Sequence, residues 1–283
     1  MTEVAKTVVV RSRAELREAL SAAARPVGLV PTMGWLHDGH RSLMARSRAE
    51  DATSVGSIFV NPRQFNEAAD YTRYPRNEAR DLAICQEEGI DIVFLPPVEE
   101  IYPPGFDTLV SVGALARRLE GAARPGHFDG VATVVAILFN LVGAERAYFG
   151  QKDAQQVMII RRMATDLALP TAVITCATVR EADGLALSSR NVRLTHEQRV
   201  AAAVLRRALL VGRAARESGE RSAEAIKAAV RAELGREPLA ATDYVSVADA
   251  ATLDELERVD GPALISLAVR FGSTRLIDNE LLA

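Results

Sequence analysis

The chain is short of the features that would take it out of the ordinary globular class. It has two cysteines in 283 residues, Cys85 and Cys176, which leaves no room for a disulfide framework. Both lie in apolar surroundings, so buried, inert thiols are expected. Charge of neither sign dominates: Lys+Arg 34 against Asp+Glu 37 gives 34 − 37 = −3. That excludes a strong basic field, so electrostatically driven nucleic-acid binding is not the default expectation. Long hydrophobic runs are missing. The longest, Val131 to Val142, is interrupted by Thr133 and Asn140. It is far short of the ~20 residues a membrane-spanning helix needs. Met1-Thr2-Glu3-Val4 has no basic region ahead of an apolar core, so no secretory signal is read there. The expectation is a cytoplasmic protein with no nucleic-acid or membrane partner. Lysine is scarce as well: Lys6, Lys152 and Lys227 stand among many arginines. The composition, 48% hydrophobic and 25% charged, excludes disorder and collagen-like repeats. At roughly 150 residues per domain, the length allows one large domain or two medium ones.

What is present is an alternation of strand and helix patterns over the first two thirds. Val8–Val10, Val27–Val30, Val55–Val60, Ile90–Leu95, Ala147–Phe149 and Ala172–Cys176 are short apolar runs. Ser12-x-x-Glu15 is a capping box that opens a helix to about Ala24. Further helices are expected over Gly39–Ala49, Glu78–Glu88, Gly130–Leu141 and Asp153–Ala168. Strands that are apolar throughout suit a parallel sheet covered on both faces. The expected fold is α/β, a Rossmann-like doubly wound parallel sheet. After about Leu185 the texture changes. Thr195-x-x-Gln198 caps a long Ala/Arg-rich helix closed near Gly219, and a second helix covers Ser222–Leu234. Strand patterns follow at Asp243–Val247, Leu264–Phe271 and Thr274–Ile277. This predicts a smaller C-terminal α+β domain, with domains at 1–184 and 185–283.

The strongest local signal is Pro31-Thr32-Met33-Gly34-Trp35-Leu36-His37-Asp38-Gly39-His40, directly after one strand and before a helix. Ligands bind at such places in open α/β sheets. Gly34 and Gly39 permit close approach of backbone to a phosphate, and a helix N-terminus offers free N–H groups. His37 and His40 are three residues apart and share a face, so two imidazoles can donate to anionic oxygens. They could instead be ordinary polar residues at a helix start. A zinc site is disfavoured because no Cys/His partner motif is nearby. Lys152, in Phe149-Gly150-Gln151-Lys152-Asp153, suits a compact charge aimed at phosphate oxygens. Asp153 stands at a plausible helix cap. Gln64 and Gln156 are neutral amides with both donors and acceptors.

His37-x-Gly-His40 after a first strand resembles the HxGH signature of the nucleotidyltransferase superfamily. Other segments narrow the resemblance. They are Ser57–Phe65 with Asn61 and Gln64, Tyr74-Pro75-Arg76, Arg124–Val131 with His127, Phe149–Gln156, Val179–Asn191 and Arg275–Asn279. In this order and spacing, over essentially the whole chain, they resemble the pantoate–β-alanine ligases. The resemblance implies a two-step reaction. Pantoate's carboxylate attacks the α-phosphorus of ATP, and β-alanine's amine then attacks pantoyl adenylate, giving pantothenate and AMP. It implies ATP with Mg2+, no assignable metal ligands, and a homodimer. It implies catalytic roles for His37, His40, Lys152 and Arg190. Met33, Gly34, Gly150, Asp153, Val179, Leu187, Ser188 and Ser189 would join them around ATP. Gln64, Gln156, Asn61, Thr32 and Tyr74 would hold pantoate and β-alanine. Ser188-Ser189-Arg190 resembles the superfamily's KMSKS-type loop, with Gly184 giving freedom to close. Three positions depart from the pattern: Arg63 stands where many members carry methionine, Gln151 where many carry glutamate, Ala154 where an aromatic is common. Other readings stay open: a nucleotidyltransferase with a phosphorylated acceptor, a tRNA-charging fragment, or a nucleotide sensor.

Overall fold

Six short apolar runs become the strands of one sheet: β1 (Val8–Val10), β2 (Val27–Thr32), β3 (Thr53–Ile58), β4 (Ile92–Phe94), β5 (Arg146–Gly150) and β6 (Ala172–Cys176). The computed structural model describes residues 7–282; the Met1–Val4 segment read for a signal lies outside them. The sheet order is β1-β4-β3-β2-β5-β6, and every pairing is parallel. Side chains of such strands are buried on both faces, which is why Val27, Leu29 and Val30 are all 0% exposed. One face packs Leu29, Phe94, Phe139 and Ile160 into a core; the other packs Val30, Leu36, Met44 and Tyr148. This is the doubly wound α/β fold expected. Beyond β2 the chain adds β3 and β4 on one side and β5 and β6 on the other. The strand order therefore reverses between β2 and β5, where the strand ends open a crevice.

The helices on this sheet follow their local signals. Ser12 and Glu15 form both bonds of their capping box, opening Arg13–Ser21. The helix His127–Val142 starts three residues before the predicted Gly130 and runs between Gly126 and Gly143, both at positive φ. Gly130 lets this helix approach closely: a Cβ there would meet the Arg63 carbonyl oxygen at 2.3 Å. Short helices at Ala68–Thr72, Val98–Ile101 and Glu120–Ala123 carried no periodic signal in the sequence. Both cysteines are buried and free, and burial, with Asp81 and Glu88 adding to it, pushes the Cys85 thiol up to about 12. Among the described residues, no helix is long and apolar enough to cross a membrane.

Among the described residues, contacts group 7–150 with 155–176 as one compact unit, and 151–154 with 177–282 as another. Residues 177–184, placed in the first domain on sequence grounds, thus group with the second unit. That unit has an antiparallel sheet of β7 (Ala241–Asp249), β8 (Ala263–Phe271) and β9 (Thr274–Leu282), in that order. β9 extends beyond the predicted Ile277 because it pairs with the whole of β8, from Phe271↔Thr274 to Ala263↔Leu282. The predicted long helix is two, His196–Ala201 and Val204–Glu217. The break coincides with i→i−3 bonds, Ala203 N–H to Val200 and Leu205 N–H to Ala202. Helices Val204–Glu217 and Ala223–Leu234 cover one face of the sheet, burying Leu205, Leu209, Ile226, Val230, Ile265 and Leu267.

Candidate active site

The chain leaves β2 through a turn of unusual backbone. Gly34 has φ 80° and Trp35 φ 51°, both in the left-handed region. Thr32 serves this turn: its hydroxyl donates to the Ser57 carbonyl at 2.8 Å and accepts the Gly34 N–H at 3.2 Å. A hydroxyl expected at the substrate is thus engaged with the frame. The carboxylate of Asp81, 1% exposed, accepts the next two backbone N–H groups, from Trp35 and Leu36. No feature of the sequence had singled out Asp81 within the helix expected over Glu78–Glu88.

His37 is the N-cap of helix Asp38–Glu50, not a member of its first turn. Its Nδ1 accepts the Gly39 N–H at 3.1 Å, while His40 Nδ1 accepts the His37 N–H at 3.3 Å. The two imidazoles complete a capping box, with ring centroids 4.2 Å apart. Each Nδ1 accepts, so the hydrogen bonding places the ring proton on Nε2 of each. Two Nε2–H donors therefore stand at a helix N-terminus beside the reversal of strand order. The arrangement suits developing negative charge on phosphate oxygens.

A second constellation gathers after β3. Asn61 is 1% exposed and fully engaged. Its amide donates to Gln64 Oε1 at 3.1 Å and to the Gly130 carbonyl at 3.0 Å, and its Oδ1 accepts from Tyr102 at 2.8 Å. Asn61 thus orients Gln64, whose Nε2 lies 2.9 Å from Met33 Sδ. Burial pushes the Tyr102 hydroxyl up against the opposing charge of Arg63, so Tyr102 donates to Asn61 throughout the physiological range. The Gln64 carbonyl faces His127 Nδ1 at 2.8 Å and accepts from Arg124 at 3.0 Å. This ties in two residues to which the sequence assigned no role. Tyr74 is half-buried, its ring 5.7 Å from that of Phe65. Arg63 lies over the rings of Tyr102 and Phe106 at 4.8 and 4.6 Å. Gln156 is half-buried on helix Ala154–Asp166, next to the buried Gln155.

The second unit holds the remaining candidates. After Gly150 ends β5, residues Gln151–Asp153 make one 3-10 turn. Asn279 of β9 clamps it: its amide donates to the carbonyls of Gln151 and Lys152, both at 2.9 Å, and its Oδ1 accepts from Gln151 at 3.0 Å. Gln151, a departure from the family pattern, is therefore part of the clamp. Ala154, another departure, is buried. Lys152 Nζ lies 3.5 Å from Asp153 Oδ1. Val179 and Leu187 are bridged by a backbone bond of 3.0 Å at the base of a hairpin turned by Gly184 at φ 89°. Arg199 binds Asp183 through two bonds, 2.6 and 3.1 Å, and Arg180 binds the fully buried carboxylate of Asp278 at 2.6 and 2.9 Å. Ser188, Ser189 and Arg190 follow, all half-buried, with the Ser188 hydroxyl accepting the Arg190 N–H at 3.2 Å. Among the described residues, no group of three or more His, Cys, Asp or Glu could hold a metal.

A family model described as pantoate-β-alanine ligase matches residues 8–281. A pantothenate synthetase of Roseiflexus sp. (strain RS-1) is 57% identical over 274 residues, 97% of this chain and 99% of that protein. The crystal structure of pantothenate synthetase from Thermus thermophilus is 48% identical with TM-score 0.92, covering 97% of this chain and 99% of that one. The pantoate-β-alanine ligase of Francisella tularensis, crystallised with β-γ ATP and β-alanine, is 32% identical with TM-score 0.80, over 98% of each chain. Similarity of this extent, over 97% of the chain, makes it a member of the pantoate–β-alanine ligase family.

Proposed function

We infer that this chain joins pantoate to β-alanine with ATP, through pantoyl adenylate, releasing AMP and pyrophosphate. The observation that carries the reading is the pair of Nε2–H donors at the helix start beside the sheet's reversal point. In the first half-reaction, pantoate's carboxylate forms a bond to the α-phosphorus and pyrophosphate leaves with the electrons of the broken bond. His37 and His40 donate to phosphate oxygens as charge builds there. Lys152, Ser189 and Arg190 are assigned to the same phosphates, with Met33, Gly34, Gly150, Asp153, Val179, Leu187 and Ser188 framing the nucleotide. Gln64 and Gln156 hold pantoate, and Asn61 acts by orienting Gln64. In the second half-reaction, β-alanine's amine attacks the acyl carbon and AMP leaves. Catalysis is positioning and charge stabilisation, with no covalent enzyme intermediate.

Apart from Asp153, whose carboxylate lies 3.5 Å from Lys152 Nζ, the residues assigned to ATP are cationic or neutral, and the Asp81 carboxylate is occupied by two amides. Mg2+ fits such a site as part of the substrate, held by ATP's own phosphates and water. The proposal includes a cytoplasmic homodimer, with the second unit acting as a lid. Incubation with ATP, Mg2+, pantoate and β-alanine tests the core of it. AMP and pyrophosphate are expected, with sustained turnover only when both acids are present. Formation of ADP, or turnover without pantoate, overturns the reading. Light scattering checks the dimer.

A further inference from the structure

Asp81 lies on helix Glu78–Glu87 but serves another segment. That helix is capped by Asn77, so Asp81 is not needed there. Instead Oδ2 accepts from Trp35 at 2.7 Å and Oδ1 from Leu36 at 2.9 Å. A tryptophan in the left-handed region is strained, and strain persists only where the surroundings over-determine it. Arg80 adds a second hold: it donates to the Leu36 carbonyl at 2.7 Å, and its guanidinium lies 5.1 Å over the Trp35 ring. Gly34 completes the fit, since a Cβ there would stand 2.9 Å from Asp81 Oδ2. The next residue is His37. The direction in which the chain enters the helix cap, and hence where both imidazoles project, is set by this turn.

We propose that Asp81 is a positioning residue for adenylate formation. It holds the Gly34–Leu36 turn so that His37 and His40 keep their Nε2–H groups on the phosphates. The inference rests on the ligase reading above. Two converging N–H groups need two acceptors, which a carboxylate supplies and an amide does not. Asp81→Asn therefore keeps the shape but sets a donor against a donor.

The test measures the two half-reactions separately, by rapid quench, on wild type, Asp81→Asn and Asp51→Asn. Asp51 is the control: its carboxylate is likewise buried, but it serves Arg146 and Tyr148. Asp81→Asn is expected to slow adenylate formation by about 10²-fold, the scale of one misplaced donor, with KM for pantoate little changed. Conversion of supplied pantoyl adenylate with β-alanine should stay within a few-fold of wild type. Asp51→Asn should leave the ratio of the two rates unchanged, whatever it does to thermal stability. Should Asp81→Asn not fold, Gly34→Ala presses on the same contact from the other side and should shift the ratio the same way. Equal slowing of both half-reactions, or an equal ratio shift in Asp51→Asn, overturns the inference. A wild type that forms no adenylate sinks the ligase reading itself, and this inference with it.

Discussion

His40 and Gln64 show how differently two site residues are held. His40 Nδ1 accepts a backbone N–H and its ring packs on that of His37, and its proposed role lies in the other ring nitrogen. His40→Ala should lose adenylate formation by about 10²–10³-fold, the scale of one preorganised donor. It should retain far more activity on supplied pantoyl adenylate, because no phosphorus bond to pyrophosphate breaks in that step. Rapid quench of both steps measures this, and an equal loss in both would make His40 a general binding residue. Gln64 is fixed at both ends, by Asn61 and by Met33. Gln64→Ala and Gln156→Ala should each weaken pantoate by a hydrogen bond's net worth, about 0.5–1.5 kcal/mol, with ATP affinity nearly unchanged. Titration with each substrate separately decides; matched losses of both would remove the two amides from the pantoate site.

At the scale of elements, two loops are tied down to different extents. The Gln151–Asp153 turn is clamped by Asn279, whose amide serves two carbonyls. Asn279→Ala strands those carbonyls and loosens Lys152. We expect a fall of about tenfold or more in adenylate formation together with a lowered melting temperature, since each stranded carbonyl costs about 1–3 kcal/mol. Kinetics alongside thermal unfolding would measure both. In the 183–191 loop, Leu185 and Ala186 are buried and Asp183 is held by Arg199. Mobility is therefore expected only over Ser188–Arg190, not over the whole loop. Hydrogen exchange with and without MgATP should show protection gained at 188–190 and little change at 183–187. Strong gain over the entire loop would favour closure of a larger lid.

At the scale of the whole molecule, charge and core govern different responses. In the second unit, burial pushes the Glu280 carboxyl up, but bonds to Arg206 and Arg213 outweigh it and hold it below its usual range. Asp243 is likewise lowered, with Arg275 and Arg270 outweighing burial. A carboxyl lowered on folding contributes stability above its unfolded value, about 4.3 for Glu and 3.9 for Asp, and loses it as pH falls toward the folded value. Urea unfolding from pH 7 down to 3 should show a stability loss beginning below about pH 5. Glu280→Gln should flatten that slope, and an unaltered slope would remove Glu280 from the acid response. Much of the molecule was legible without coordinates. Apolar runs such as Val27–Val30 report their own burial, and Ser12-x-x-Glu15 and Thr195-x-x-Gln198 report their own caps, because these effects act within one turn or one strand. His37-Asp38-Gly39-His40 was legible for the same reason, His37 capping the helix and His40 lying in its first turn. Asp81, Tyr102, Arg180 and Asn279 were not. Each acts on a backbone or side chain far along the chain: Asp81 on Trp35, Tyr102 on Asn61, Arg180 on Asp278, Asn279 on Lys152. No local spacing encodes such a pairing. Sequence alone determined the six parallel strands and most of the longer helices, and pointed to the loops proposed to carry the chemistry. Only the tertiary structure decided which buried polar groups hold those loops, because a buried carboxylate or amide is stable only against the particular donors and carbonyls that folding brings to it.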